Sequence, residues 1–246
     1  MTSVTIEIAG IPAEIHCRYP ENAAFFREYV TDKPPLFTVE VSDEYLERTR
    51  AGFCRMDDAR GWPRRQREDS FLENNAIHAL LMEGLLAYNV LLIHGSALCM
   101  DGQAVIFTAK SGTGKSTHSR LWREAFGDRV WMINDDKPVV RIVDGQAFVY
   151  GTPWNGKHHL GTNAAAPLSA IVRLEHDETN HVEPLSQTDA YLLLIRHTYR
   201  PESPELMART MELEKQLLDI ASFWLLGCNM DPEAARVSCE GILHLH

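Results

Sequence analysis

The chain has 246 residues, is 45% hydrophobic and 24% charged, and carries a formal net charge of −10. This is enough for one large domain or for a small domain beside a larger one; the composition excludes disordered, collagen-like and membrane-embedded classes, and the negative charge disfavours nonspecific binding to nucleic acid or an anionic membrane. Five cysteines without a C-x-x-C pair, no signal peptide and no apolar run of membrane length lead us to expect free thiols in a cytoplasmic protein.

In chain order, Thr5 to His16 alternates apolar and polar residues about Gly10-Ile-Pro12 and predicts two strands with a turn. Leu36–Val41 predicts a third strand. Residues 50–69 are polar and arginine-rich, with Gly52, Gly61 and Pro63, and are expected to link a small N-terminal lobe (1–69) to a main domain (70–246). Arg60, Arg64, Arg65 and Arg67 in this stretch form either a solvated linker or a contact for a substrate anion. Ser70-Phe-Leu-Glu73 has the capping-box pattern and predicts a helix to about Tyr88. A strand is expected from Val90, leading into His94-Gly95.

The most informative stretch is Ala109-Lys-Ser-Gly-Thr-Gly-Lys-Ser-Thr117. It has the form of a phosphate-binding loop, with Ala109 in place of the first glycine. Such a loop needs backbone N–H groups curled around an anion, which glycines at Gly112 and Gly114 allow. Lys115 would reach the β- and γ-phosphates and the Ser116 hydroxyl would hold Mg²⁺; Ser111, Thr113 and Thr117 complete the cradle. A strand over Ala104–Thr108 and a helix from about Lys115 to Arg123 frame it, the helix presenting its positive end to the anion.

Asp101-Gly102 and Asp144-Gly145, each between apolar runs, predict two-residue hairpins. Counting outward pairs Met100 with Gln103, Ala97 with Ile106 and His94 with Ala109. The strand before the loop is therefore expected to run antiparallel to its predecessor. The second hairpin pairs Val140 with Val149 and Val139 with Tyr150, which brings Gly151–Lys157 near Asn134-Asp135-Asp136. An acidic pair after the strand Val130–Ile133 is where a nucleotide enzyme keeps a Mg²⁺ ligand and a base. Within Gly151–Lys157, Trp154 is either core or pocket wall, and Lys157 is a candidate contact for phosphate or acceptor. His158, His159, His176 and His181 lack a zinc partner set and read as surface residues. Arg196-His197 ends a predicted helix, where positive charge serves helix stability. Further elements are expected at Ser169–Leu174 (strand), after Ser186 and Ser203 (helices), at Phe223–Leu226 (strand) and from Asp231 to about Leu243 (helix).

Ile93-His-Gly95, Ser111–Thr117 and Asn134-Asp-Asp136, in this order and spacing, resemble the HPr kinase/phosphorylase family, which shares its fold with ATP-dependent phosphoenolpyruvate carboxykinases. The resemblance covers roughly residues 70 to 245. It implies an α/β (α+β) P-loop kinase domain with a mixed, hairpin-rich sheet, using ATP and Mg²⁺ and transferring phosphate to a hydroxyl group. By it Asp136 is the base, His94 stands beside acid and phosphate, Lys115 binds phosphate, and Ser116 and Asp135 hold the metal. The family's glutamate-isoleucine-arginine-glycine signature is absent, its metal-ligating glutamate has no clear counterpart, and Arg196 or Arg200 stands where a later family arginine is expected. The acceptor is therefore left open between a protein or peptide serine and a small molecule, with an ATP-binding regulatory module or ATPase as the alternative. A homo-oligomer is compatible with all of these readings.

Overall fold

Ala9 and Gly10, both at positive φ (53° and 74°), reverse the chain between β1 (Thr2–Ile8) and β2 (Ile11–Cys17). This is the first feature of a computed structural model that describes residues 1–110, 112–156 and 158–244. After α1 (Pro20–Phe25), β3 (Phe37–Glu40) joins β2 in parallel, completing a three-stranded sheet of order β1-β2-β3.

Residues 50–59, expected as linker, belong instead to a helix, α2 (Asp43–Ala59). Ser42 caps it by accepting a hydrogen bond from the Tyr45 amide (3.1 Å), which satisfies one of the free donors of the first turn. The following loop folds back onto α2. Arg67 donates to the fully buried carboxylate of Asp57 at 2.8 and 2.9 Å, Arg65 donates to it at 3.1 Å, and Arg64 grips Asp58 at 2.8 and 2.9 Å. These arginines are thus engaged within the chain.

Helix α3 (Asp69–Leu85) follows, but Glu73 does not cap it. The Glu73 carboxylate is fully buried and accepts from the amides of Arg18 (2.7 Å) and Tyr19 (3.3 Å) and from Asn22 Nδ2 (2.7 Å). These bonds tie α3 to the end of β2. The compact units are accordingly Met1–Tyr88 and Asn89–His246, so the division lies about one helix later than the sequence pattern suggests.

The second unit holds a nine-stranded mixed sheet. Its elements are β4 (Val90–Leu92), β5 (Ser96–Met100), β6 (Gln103–Thr108), α4 (Lys115–Phe126), β7 (Val130–Asn134), β8 (Val139–Val143), β9 (Gln146–Tyr150), β10 (Ala165–His176), β11 (His181–Pro184), α5 (Gln187–His197), α6 (Pro204–Ile220), β12 (Ser222–Cys228) and α7 (Glu233–Leu243). The strand path is β4-β8-β9-β10-β6-β5-β7, with β12 beside β10 and β11 beside β12. Both Asp-Gly turns form as expected: Met100 pairs with Gln103, Ala97 with Ile106, Val140 with Val149 and Val139 with Tyr150. Strand β6 is antiparallel to β5 and parallel to β10. Strand β11, unmarked in the sequence pattern, pairs antiparallel with β12.

The core of this unit lies between the sheet and helices α4 and α7, with Phe107, Trp122, Val172 and Leu226 fully buried. Within it Trp122 Nε1 donates to Ser238 Oγ (2.8 Å), His118 Nε2 lies 3.0 Å from the same oxygen, and Ser238 Oγ donates to the Ala235 carbonyl (3.0 Å). The hydroxyl proton being used on Ala235, the His118 contact is a bond donated by Nε2–H. All five cysteines are free thiols. Among the described residues no helix is long and apolar enough to cross a membrane.

Candidate functional site

The glycine-rich loop joins β6 to α4. Gly112 and Gly114 sit at φ 85° and 105°, a left-handed conformation that costs L side chains free energy, and a Cβ at either position would meet nothing within 4 Å. Backbone conformation, and not crowding, therefore explains both glycines. Gly114 is the N-cap of α4, which leaves the first amides of the helix without side-chain caps and facing the loop. Lys115 Nζ reaches back to the Ala109 carbonyl (3.1 Å), closing the loop on itself. Burial lowers the Lys115 ammonium from its ordinary pKa, and the Asp136 charge opposes that shift. Ser111 lies outside the described residues.

The β5–β6 ladder ends at Ser96 and Phe107, two pairs short of the expected His94–Ala109 partnership. Beyond it the chain turns to other neighbours. Ile93 N donates to Pro138 O (3.1 Å), His94 N to His197 O (2.7 Å) and Gly95 N to Asp136 O (3.1 Å). His94 is thereby held against the acidic turn and the end of α5 instead of opposite the loop's first residue. Its Nε2 lies 3.2 Å from Asp136 Oδ1, with both side chains partly exposed (46% and 35%). Burial works to raise the Asp136 carboxyl, but the His94 hydrogen bond and the charges of Lys137, His94 and Lys115 outweigh it, holding the group below the ordinary carboxylate value.

Asn134 organises the acidic turn. It is fully buried, and its Oδ1 accepts from the amides of Asp136 (2.9 Å) and Lys137 (2.7 Å). Its Nδ2 donates to Thr152 O (3.1 Å), with Thr152 Oγ1 and Trp154 O at 3.2 and 3.4 Å. Thr152 Oγ1 donates in turn to Lys137 O (2.8 Å). One amide side chain thus joins the two segments that the hairpin register brought together. The same loop delivers the Gly156 amide to Asp135 Oδ1.

Asp135 and Ser116 line one cavity of about 500 Å³ with Thr117, Arg120, Arg123, Met132, His158 and Leu160. His94, Asp136, Lys115 and His197 are not among its lining residues. The loop therefore has two faces: Lys115 in the field of Asp136, His94 and His197 on one side, and Ser116 with Asp135 on the other. Two oxygen ligands suit a hard cation that keeps several waters and completes its shell with phosphate oxygens, as Mg²⁺ does. No group of three or more His, Cys, Asp or Glu side chains among the described residues could hold a metal by itself.

Trp154 is 8% exposed and does not line this cavity, so of the two readings of its side chain the interior one applies. Lys157 lies outside the described residues. Arg200 is committed elsewhere: its guanidinium pairs with the buried Glu214 and its Nε donates to Ile195 O (3.1 Å). His197 is not the helix-stabilising cation that its position suggested. Burial first, then the charges of His94, Lys115 and Arg196, push it down to about 4, and its ring centroid lies 6.3 Å from that of His94. Sequence reasoning missed His197, Lys137, Arg120 and Arg123. The spacing Ser116, Arg120, Arg123 puts all three on one helix face and could have flagged the arginines. Nothing local links His197 to His94.

No protein-family profile matches the chain. No curated protein matches it either. Among solved structures, the chain is similar to that described as the structure of the Hpr(Ser) kinase/phosphatase from Coxiella burnetii, with 13% identity, a TM-score of 0.29, and coverage of 51% of this chain and 96% of that one.

Proposed function

We propose that residues 89–246 form a kinase domain that binds Mg·ATP at the 109–117 loop and transfers the γ-phosphate to a hydroxyl group, with a serine of a protein or peptide as the first acceptor class to test. The observation that carries this reading is the Asp136 carboxylate, held ionised 3.2 Å from His94 and within the field of the loop lysine, Lys115. A module that only bound nucleotide would have no use for a base at that point.

Phosphoryl transfer asks a protein mainly for positioning and charge neutralisation, with a carboxylate to accept the acceptor's proton. Lys115 would exchange the Ala109 carbonyl for phosphate oxygens. Asp136 Oδ1 is occupied by His94, which leaves Oδ2 to take the hydroxyl proton. The oxygens of Ser116 and Asp135 would hold Mg²⁺, which when bound offsets negative charge on the β- and γ-phosphate oxygens. Asn134 keeps the two acids in their separate positions.

The test is transfer from γ-labelled ATP into cell extract separated into protein and small-molecule pools, run beside Asp136→Asn. Label in the protein pool that the variant fails to produce supports a protein kinase, and label confined to the small-molecule pool reassigns the acceptor. Release of inorganic phosphate alone makes water the acceptor, and no turnover at all leaves a binding module.

A further inference from the structure

The cavity beyond Ser116 extends along α4 from the glycine-rich loop. Ser116, Arg120 and Arg123 stand at i, i+4 and i+7, one face of a helix that rises about 1.5 Å per residue, so Arg123 lies about 10 Å from the loop. Arg120 is held by Glu124 at 2.8 and 3.1 Å. Arg123 is half-buried, and its Nε–H is buried without an acceptor among the described residues. A guanidinium donor hidden from water and left unbonded is costly, and a ligand that supplies the acceptor would offset that cost. Met132, 5% exposed, and Leu160, 36% exposed, give the cavity apolar walls.

Which part of a ligand belongs there follows from the two faces of the loop. The groups suited to the γ-phosphate and acceptor (Lys115, Asp136, His94) do not line this cavity, whereas Ser116 and Thr117 do. In a loop of this kind the lysine meets the β- and γ-phosphates, so the end of the ligand that leaves past the serine and threonine is the opposite one. A planar guanidinium beside apolar side chains suits a heteroaromatic ring with acceptor atoms on its edge.

We propose that this cavity is the nucleoside pocket, and that Arg123 binds the base or ribose of the nucleoside triphosphate. The inference rests on the phosphate-loop reading above, and calorimetry with two ligands separates them. Mg·ATP and magnesium tripolyphosphate share the phosphate chain, but only ATP has a nucleoside. The parent protein should bind ATP the more tightly. Arg123→Met, which keeps the aliphatic stem, should weaken ATP by about tenfold to a hundredfold and leave tripolyphosphate within about twofold. Leu160→Asp on the exposed wall, where loss of the fold is not a concern, should do the same. Lys115→Ala should weaken both ligands together.

Equal loss of both ligands in Arg123→Met would make Arg123 a phosphate contact and overturn the nucleoside assignment. Unchanged ATP affinity in both cavity variants would also overturn it, with the phosphate loop intact. If Lys115→Ala alters neither ligand, or the parent binds neither, the phosphate-loop reading itself is wrong and the pocket falls with it.

Discussion

His94 and Asp136 meet at 3.2 Å because neither strand ladder continues through them. His94 leaves the β5–β6 hairpin before its ladder begins, and its amide is taken by His197 while the neighbouring Gly95 amide is taken by Asp136. The pair is therefore positioned by backbone on both sides. Asp136→Asn keeps size and hydrogen bonding but cannot accept a proton. Transfer is expected to fall by about 10²–10⁴-fold, the range of general-base positioning, with Mg·ATP affinity retained. Parent-level transfer in this variant would remove Asp136 from the mechanism.

Lys115 is the one loop side chain whose resting partner is known, the Ala109 carbonyl. Its ammonium is half-buried and shifted down by burial, so it is poorly solvated before any anion arrives. Lys115→Ala should weaken Mg·ATP by about 1.5–3 kcal/mol, the worth of a charge-assisted contact. Undiminished affinity measured by calorimetry would contradict the loop assignment.

The parts of the site that could be read from the sequence are those fixed locally. Asp101-Gly102 and Asp144-Gly145 set their hairpins because a two-residue turn leaves the strands one pairing, and from the second hairpin came the approach of residues 151–156 to Asn134. Extending the first count to His94 failed because nothing local says where a ladder stops. Helix α2 was obscured by its composition, since only Leu46 and Asp57 on it are buried and its polar surface looks like a linker. Glu73 fits a capping box by spacing, yet the partners that claim it, at residues 18–22, lie far back in the chain. His197 is equally distant from His94, and no periodicity carries that contact.

Acid should destabilise the fold before the carboxylates are reached. Burial pushes His118 down to about 4 from an ordinary 6.5, and His197 shifts in the same direction. Both are therefore neutral when folded, while the unfolded chain takes up their protons below pH 6.5. The unfolded state binds more protons between pH 6.5 and about 4, so stability is lost as pH falls through that window. For His118 alone the loss reaches about 3 kcal/mol by pH 4. Guanidinium midpoints at pH 7.5, 5.5 and 4.5 should fall in that order. His118→Gln, which can still meet Ser238, should flatten the trend, and an unchanged slope would contradict the buried neutral imidazole.

Asn134 is a test of how much the acidic turn depends on one side chain. Asn134→Ala leaves the amides of Asp136 and Lys137 and the carbonyl of Thr152 without their partner. Orphaned buried groups cost about 1–3 kcal/mol each where water cannot reach them. A loss of at least about 2 kcal/mol is expected, read as a fall in Tm of about 4–8 °C for a unit of this size. A Tm within 1 °C of the parent would mean that water replaces the amide and that the turn stands without it.

The last prediction separates the two acids by geometry instead of charge. Gly156 passes so close to Asp135 that a Cβ there would lie 2.7 Å from Oδ2 and 2.9 Å from Cγ, distances real Cβ atoms do not keep. The Gly156 amide also donates to Asp135 Oδ1, so backbone and carboxylate must move together. Gly156→Ala leaves every charge in place but displaces the Asp135 carboxylate from the side of the cavity that it shares with Ser116. If Asp135 is a Mg²⁺ ligand, the Mg²⁺ concentration giving half-maximal nucleotide binding should rise by about tenfold or more, as for changes to groups that orient a ligand. Asp135→Asn should shift it in the same direction, and Asp136→Asn should leave it near the parent value. A Mg²⁺ titration unaltered in Gly156→Ala and Asp135→Asn but shifted in Asp136→Asn would exchange the roles of the two aspartates.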